Sequence, residues 1–276
     1  MKKNEIIALA GKFINDATGN YITKEAALHP RCVGLQIFEA PIFAFGAADD
    51  EIYMKYKAPD VIGSQFLSPT EWLPNASTVI SFFLPYTDTI KAANRADCLW
   101  PADEWLHGRY EGQNLLKQLL EHLVEVITEA GFKSLAPSID LRFKAGRADD
   151  GNKFTSNWSE RHIAYACGLG TFGLSKGIIT KKGMSGRFGS VVTELDLPKD
   201  SRAYTDVYEY CNMCRLCIDR CPAKAISVKD GMKPALCSGF LDKVMEKHSP
   251  RYGCGKCQVN VPCESEIPMA VINATD

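Results

Sequence analysis

Apolar residues recur along the chain with two periods, one helical and one extended. Ile6, Ile7, Ala10, Phe13 and Ile14 fall three and four apart, so the chain is expected to open with an amphipathic helix. Val33 to Phe38, Pro41 to Phe45 and Thr78 to Leu84 are short apolar or β-branched runs bounded by Pro, Gly and Asp, which read as strands. The broadest stripe, Leu115, Leu116, Leu119, Leu120, Leu123, Val124, Ile127 and Ala130, marks a long helix that Gly131 stops. Asp140 to Ser159 is polar and contains Gly, a loop by composition. Ser159 to Cys167 has helical composition with Ser159 as N-cap. Gly186 to Leu197 reads as a strand in which Val191, Thr193 and Leu195 alternate with Val192 and Glu194. Helices and strands mix without a clean βαβ alternation, so the expected fold class is α+β.

The length of 276 residues, 46% hydrophobic, suits one large or two moderate domains. A net charge of -1 gives no global pull toward nucleic acid or anionic lipid, so tRNA binding is not indicated by charge. The apolar start resembles a signal peptide but is broken by Lys12 and Asp16, and no run reaches the roughly 18 apolar residues that span a bilayer. The expectation is a cytoplasmic protein with no membrane partner. Cysteine usage divides the chain: Cys32, Cys98 and Cys167 are alone in the first 200 residues, whereas eight cysteines crowd between Cys211 and Cys263. With Pro198-Lys199-Asp200-Ser201 as linker, the expected domains are 1–200 and 201–276.

In a reducing compartment such a crowd points to metal rather than disulfides. Cys211-Asn-Met-Cys214-Arg-Leu-Cys217-Ile-Asp-Arg-Cys221-Pro222 is C-x2-C-x2-C-x3-C-P, the spacing of two-cluster bacterial ferredoxins. A short loop with two-residue gaps supplies three thiolates to one cubane, the fourth cysteine turns to the other cluster, and remote cysteines complete both. Cys237, Cys254, Cys257 and Cys263 provide that remote set, so eight ligands match two [4Fe-4S] clusters. Paired C-x2-C knuckles also bind zinc, but zinc sites do not need three cysteines at successive two-residue gaps followed by C-P. Cys32, Cys98 and Cys167 are read as small buried hydrophobes without a metal role.

Three features imitate other chemistry. Gly168-Leu-Gly170-Thr-Phe-Gly173 fits the G-x-G-x-x-G of dinucleotide sites, but it follows a helix-like segment where that motif needs a strand. Gly173-Leu-Ser175-Lys-Gly177 imitates a nucleophile elbow without its strand-to-helix setting. His29, His107, His122, His162 and His248 are scattered without ligand spacing and read as structural or surface residues.

Trp158-Ser-Glu160-Arg161-His-Ile-Ala164-Tyr-Ala-Cys-Gly168-Leu-Gly170-Thr-Phe-Gly173 resembles the E-R-x-x-A-x-x-x-G-L-G-x-x-G segment of the epoxyqueuosine reductases, and Tyr252-Gly-Cys254-Gly-Lys-Cys257-Gln258 is also similar. The resemblance implies a nitroreductase-like, corrinoid-binding core related to reductive dehalogenases, followed by the double-cluster domain. It implies one cluster on Cys211, Cys214, Cys217 and Cys263 and the other on Cys221, Cys237, Cys254 and Cys257. It also implies cobalamin beside the proximal cluster, over Arg161, Gly168, Gly170, Phe172 and Gly173; glycines would let backbone approach the macrocycle, and the alternative is that they end a helix and turn tightly. The family's catalytic aspartate precedes its E-R segment. Ala136-Pro137-Ser138-Ile139-Asp140 matches that context, with extra residues before Glu160, so Asp140 is the candidate acid.

The expected function is an oxidoreductase resembling epoxyqueuosine reductase. Electrons from a low-potential donor such as ferredoxin or flavodoxin pass through two clusters to cobalamin, which reduces a small-molecule, modified-nucleoside or corrinoid-protein substrate. The alternative is a non-catalytic electron carrier with a docking domain.

Overall fold

A computed structural model describes residues 1–147 and 154–269. Its centre is a four-stranded antiparallel sheet in the order β1-β2-β8-β3, built from β1 (Ile42–Ala47), β2 (Thr78–Pro85), β3 (Ser134–Leu135) and β8 (Gly186–Thr193). An antiparallel sheet commonly leaves one face wet. Here both are covered, and every residue of β2 is buried. Phe45, Ile80, Phe82, Leu84 and Val191 meet α1 (Lys3–Asp16) and α5 (Asp103–Glu129) on one side. Ala44, Val79 and Val192 meet α6 (Glu160–Cys167) and an aromatic layer containing Tyr53, Phe66, Trp72 and Trp158 on the other. The alternation expected for Gly186 to Leu197 is therefore real but separates two cores, and the strand ends at Thr193.

Several elements differ from the sequence expectation for identifiable reasons. In α1, Ile6, Ala10 and Ile14 are buried but Ile7 is exposed, because it lies one step around the helix from the buried row. Val33 to Phe38 forms only isolated bridges at Gln36 and Phe38. Helix α5 begins a dozen residues before the leucine stripe, where Gly108 and Gly112 let Tyr86 and Phe38 pack against it. It stops as read, with Gly131 at φ 93°. The expected loop between Asp140 and Ser159 contains the paired strands β4 (Ala145–Arg147) and β5 (Phe154–Ser156). Short helices α2 (Ile52–Lys55) and α3 (Pro69–Trp72) support the aromatic layer. Helix α4 (Asp88–Ala96) follows β2.

Beyond α6, β6 (Gly170–Phe172) and β7 (Ile178–Thr180) form a hairpin. The cysteine-rich segment holds α7 (Leu216–Asp219), the β9–β10 pair (Ile226–Ser227 and Gly231–Met232) and α8 (Pro234–His248). The stretch read as a linker is anchored: Asp200 accepts from Phe45 N at 2.8 Å, donates its own N–H to Phe45 O at 2.7 Å and pairs with Lys3 at 2.6 Å. Among the described residues no helix is long and apolar enough to cross a membrane.

Candidate iron–sulfur centre and adjoining cavity

The loop from Cys211 reverses tightly, with Met213 at φ 54° and Arg215 at φ 67°, then enters the single turn of α7 that buries Cys217. Asn212 Oδ1 accepts Cys214 N at 3.2 Å and holds the turn, and Ala225 N donates to Cys221 Sγ at 3.3 Å. The remaining cysteines come from α8 and from a segment pinned against α4. Lys256, fully buried, donates to Asn94 O at 2.8 Å and Asn94 Oδ1 at 3.1 Å, while Asn94 Nδ2 donates to Cys254 O at 3.0 Å. Arg95 forms a forked pair with buried Glu264, and Met184 N donates to Cys263 O at 3.0 Å. Gly255 has no room for a side chain beside Trp105.

This scaffold sorts the eight cysteines into two groups. Cys211, Cys214, Cys217 and Cys263 line one small cavity, together with Met184 and Val261. Cys221, Cys237, Cys254 and Cys257 line another, of about 220 Å³. Electrostatics divide them the same way. Burial pushes the Cys217 thiol up to about 11, with Cys211 and Cys214 the next contributors; burial pushes Cys263 up to about 12, aided by Cys211, Cys214 and Cys217. Burial raises Cys254 to about 11 and raises Cys257 further, and both feel Cys237 and Cys221. Cys217 reaches Cys257 only as the weakest of its neighbours. Cys221 has thus left the group of its sequence neighbours. Four thiols crowded around one buried space resist ionisation unless cationic iron compensates their charge, which is the donor set a cubane requires. Among the described residues no His, Cys, Asp and Glu converge closely enough to hold a single metal ion.

The second cavity extends past its cysteines to Tyr86, Trp105, Arg109, Arg161, Arg187 and Tyr252. Arg109 donates to Tyr252 OH at 2.6 Å and stacks 4.4 Å from that ring, Arg161 donates to Lys176 O at 2.8 Å, and Arg187 donates to Gln113. Of the residues expected from sequence, only Arg161 joins the second cysteine group here. Gly168, at φ 97°, caps α6, and its pro-side-chain position faces Ser201 O. A Cβ on Gly170 would run into Ile179 O, and one on Gly173 would meet the Ile179 and Met184 side chains. Phe172 packs on His162 and Tyr165. The Cβ positions of these glycines thus face the protein's own atoms, Ser201 at Gly168, Ile179 at Gly170 and Ile179 with Met184 at Gly173, which fits the alternative reading of glycines that end a helix and turn tightly.

Asp140 is also placed elsewhere. It borders a shallow surface cavity beside Glu121 and Glu125 and holds Arg142 through two hydrogen bonds of 2.9 Å. That side-chain hydrogen bond to Arg142 keeps its carboxyl below the usual range, the wrong direction for a proton donor. The carboxyl whose pKa burial raises is Glu160, pushed up to about 7, though Ser190 donates to it at 2.6 Å. Cys32 and Cys167 are buried as read, but Cys98 is exposed, with Arg220 Nη1 at 3.6 Å. His107 is structural: Leu28 N donates to its Nε2 at 3.0 Å, so Nδ1–H faces Glu111 at 2.9 Å. Arg109 and Arg187 escaped the sequence reading because a lone Arg on a helix or strand carries no periodic signal; Tyr252 stood inside the quoted cysteine motif.

No family model matches the chain. The epoxyqueuosine reductase of Cellulophaga algicola is 27% identical over 209 residues, covering 70% of this chain and 60% of that protein. A tetrachloroethene reductive dehalogenase of Desulfitobacterium hafniense is 36% identical over 98 residues, 34% of this chain and 18% of the other. A solved epoxyqueuosine reductase superposes over 95% of this chain and 65% of its own with a TM-score of 0.54 at 19% identity. A solved reductive dehalogenase, described as suggesting a mechanism for B12-dependent dehalogenation, superposes over 83% and 30% with a TM-score of 0.54 at 16% identity. The chain is a homologue of the epoxyqueuosine reductases, a class of oxidoreductase enzymes, and shares the mixed α/β fold of those enzymes and the dehalogenases. It spans between 53% and 62% of the length of the curated reductases it matches.

Proposed function

We propose that the chain is an iron–sulfur oxidoreductase with two [4Fe-4S] clusters, one on Cys211, Cys214, Cys217 and Cys263 and one on Cys221, Cys237, Cys254 and Cys257. The observation that carries this reading is the division of eight cysteines between two cavities, with Cys221 in the group remote from Cys217. Residues 1–200 then form a nitroreductase-like substrate domain and residues 201–276 a ferredoxin-like domain. When bound, the clusters supply one-electron transfer. The protein's part is to bury the thiolates, hold Cys254 and Cys257 through Asn94 and Lys256, and present the second group to the adjoining cavity. A low-potential ferredoxin or flavodoxin is the proposed donor. A cavity lined by arginines and aromatics favours an enzyme over a carrier that only docks, since a carrier needs a surface and not an interior.

Cobalamin is the acceptor that the relatives support, and Arg161, Trp105 and Tyr252 are the residues that would meet it. At about 220 Å³ the cavity is below the range of drug-sized pockets and far smaller than a whole corrinoid, so its walls as they stand favour a smaller acceptor. One solved epoxyqueuosine reductase holds an epoxyqueuosine-modified tRNA stem loop, which makes a modified nucleoside one substrate class to assay. Anaerobic reconstitution tests the reading: about eight irons and eight sulfides per chain are expected, whereas about four, or stoichiometric zinc, overturns it. Equilibrium dialysis of the loaded protein against hydroxocobalamin decides between the macrocycle and a smaller acceptor.

A further inference from the structure

Three arginines face the cavity beside the second cysteine group, and among the described residues no Asp or Glu lines it. Arg109, Arg161 and Arg187 each spend a donor on a neutral partner, namely the Tyr252 hydroxyl, the Lys176 carbonyl and the Gln113 amide. A guanidinium has five N–H donors, so most remain for the cavity. The Nε of Arg187 is buried without a hydrogen-bond partner among the described residues. Of the nearby carboxyls, Glu111 holds Arg251 and His107, and Glu160 accepts from Ser190 and feels Arg187, but burial pushes it up to about 7, which makes it a weak counter-ion. Arg161 is exposed, but Arg109 and Arg187 are half-buried side by side, and an anion in the cavity would take charge-assisted hydrogen bonds from both and offset their mutual repulsion.

We propose that this cavity is a binding site for a small oxyanion, a carboxylate or phosphate group, and that the substrate reduced beside the second cluster enters as such an anion. The second clause rests on the oxidoreductase reading; the first does not. The alternative use of the arginines is to balance the charge of a cluster. Arg161 suits that role, because Cys237 and Cys257 are its charged neighbours. Arg187 does not: the groups it feels are Arg109, Arg161, two tyrosines and Glu160, with no cysteine among them. Arg187 and Arg109 therefore form the anion-facing pair, and Arg161 bridges it to the cluster. A bidentate guanidinium suits both planar carboxylate and tetrahedral phosphate, and Tyr86 and Trp105 supply apolar walls for a short carbon chain.

The test is calorimetric titration of the cluster-loaded protein with inorganic phosphate and, separately, acetate, both redox-inert, so that binding is read apart from turnover. Saturable binding of at least one is expected, weakened roughly tenfold or more by Arg187→Gln and by Arg109→Gln, the loss expected for a hydrogen bond to a charged group. Arg202→Gln, which removes a surface pair with Asp50, is the control and should leave it unchanged. The relative affinity of the two probes assigns the class. No binding of either anion, or binding that both cavity variants leave intact while they shift the second cluster's reduction potential, overturns the proposal and makes the arginines cluster counter-ions. If anions bind but no reductase activity is found, the site stands and the oxidoreductase reading falls.

Discussion

Glu160 shows how one side chain carries two kinds of information. In sequence it is the acid of a Glu-Arg pair; in the fold it is a carboxyl pressed between α6 and β8, with Ser190 donating to it and receiving Trp158 Nε1–H at 3.0 Å. Burial raises its pKa from 4.5 to about 7. The folded state thus binds a proton more tightly than the unfolded state, so this contribution to stability is complete below pH 4.5 and is lost as pH rises through about 7. His162 acts oppositely: burial lowers it from 6.5 to about 3, and its contribution is lost as pH falls below 6.5. Glu160→Gln isolates the first effect. Relative to wild type, the variant should gain on the order of 2–3 kcal/mol between about pH 5 and about pH 8, read by denaturant titration of the unfolding midpoint. A difference that does not change with pH contradicts the burial assigned to Glu160. Asp140 teaches the converse. Its sequence context matched an acid, but only the fold reveals Arg142, whose side chain also lies 4.7 Å from the Trp72 ring.

Elements whose side chains obey a single period were legible in the sequence: α1, the leucine half of α5, β1, β2, α6 and most of β8. Those set by tertiary contact were not. The first half of α5 looks polar because Arg109, Tyr110 and Glu111 serve the cysteine-rich segment, and α4 is a short helix whose Lys91, Asn94 and Arg95 are turned to the same task. The glycine motif after α6 ends that helix and turns into the β6–β7 hairpin, the local one of the two readings its sequence allows. Because a Cβ at Gly170 would meet the Ile179 carbonyl, Gly170→Val should cost at least about 3 kcal/mol by forcing the β6–β7 hairpin apart. Thermal unfolding of the variant checks this; an unchanged midpoint would restore the idea that open space lies over Gly170.

At the level of the molecule, the cysteine-rich segment is stitched to the sheet-bearing part at many points. Asn94 is central, since it binds both Lys256 and the Cys254 carbonyl. Asn94→Ala leaves the buried Lys256 ammonium short of acceptors and should cost on the order of 2–3 kcal/mol. It should also lower iron retention by the second group while sparing the first, as read by iron content and paramagnetic resonance. The cysteine spacing was fully legible because C-x2-C-x2-C-x3-C-P is a local constraint, whereas the arginine-lined cavity is assembled from α5, α6 and β8 and has no local signature. The central claim is that Cys221 crosses to the other group. Its most direct test is the reduced-state paramagnetic resonance spectrum of reconstituted single-cysteine variants. Cys221→Ala and Cys254→Ala should perturb one and the same cluster signal, and Cys217→Ala and Cys263→Ala the other. If Cys217→Ala and Cys221→Ala damage one cluster together and leave the second intact, the account is contradicted.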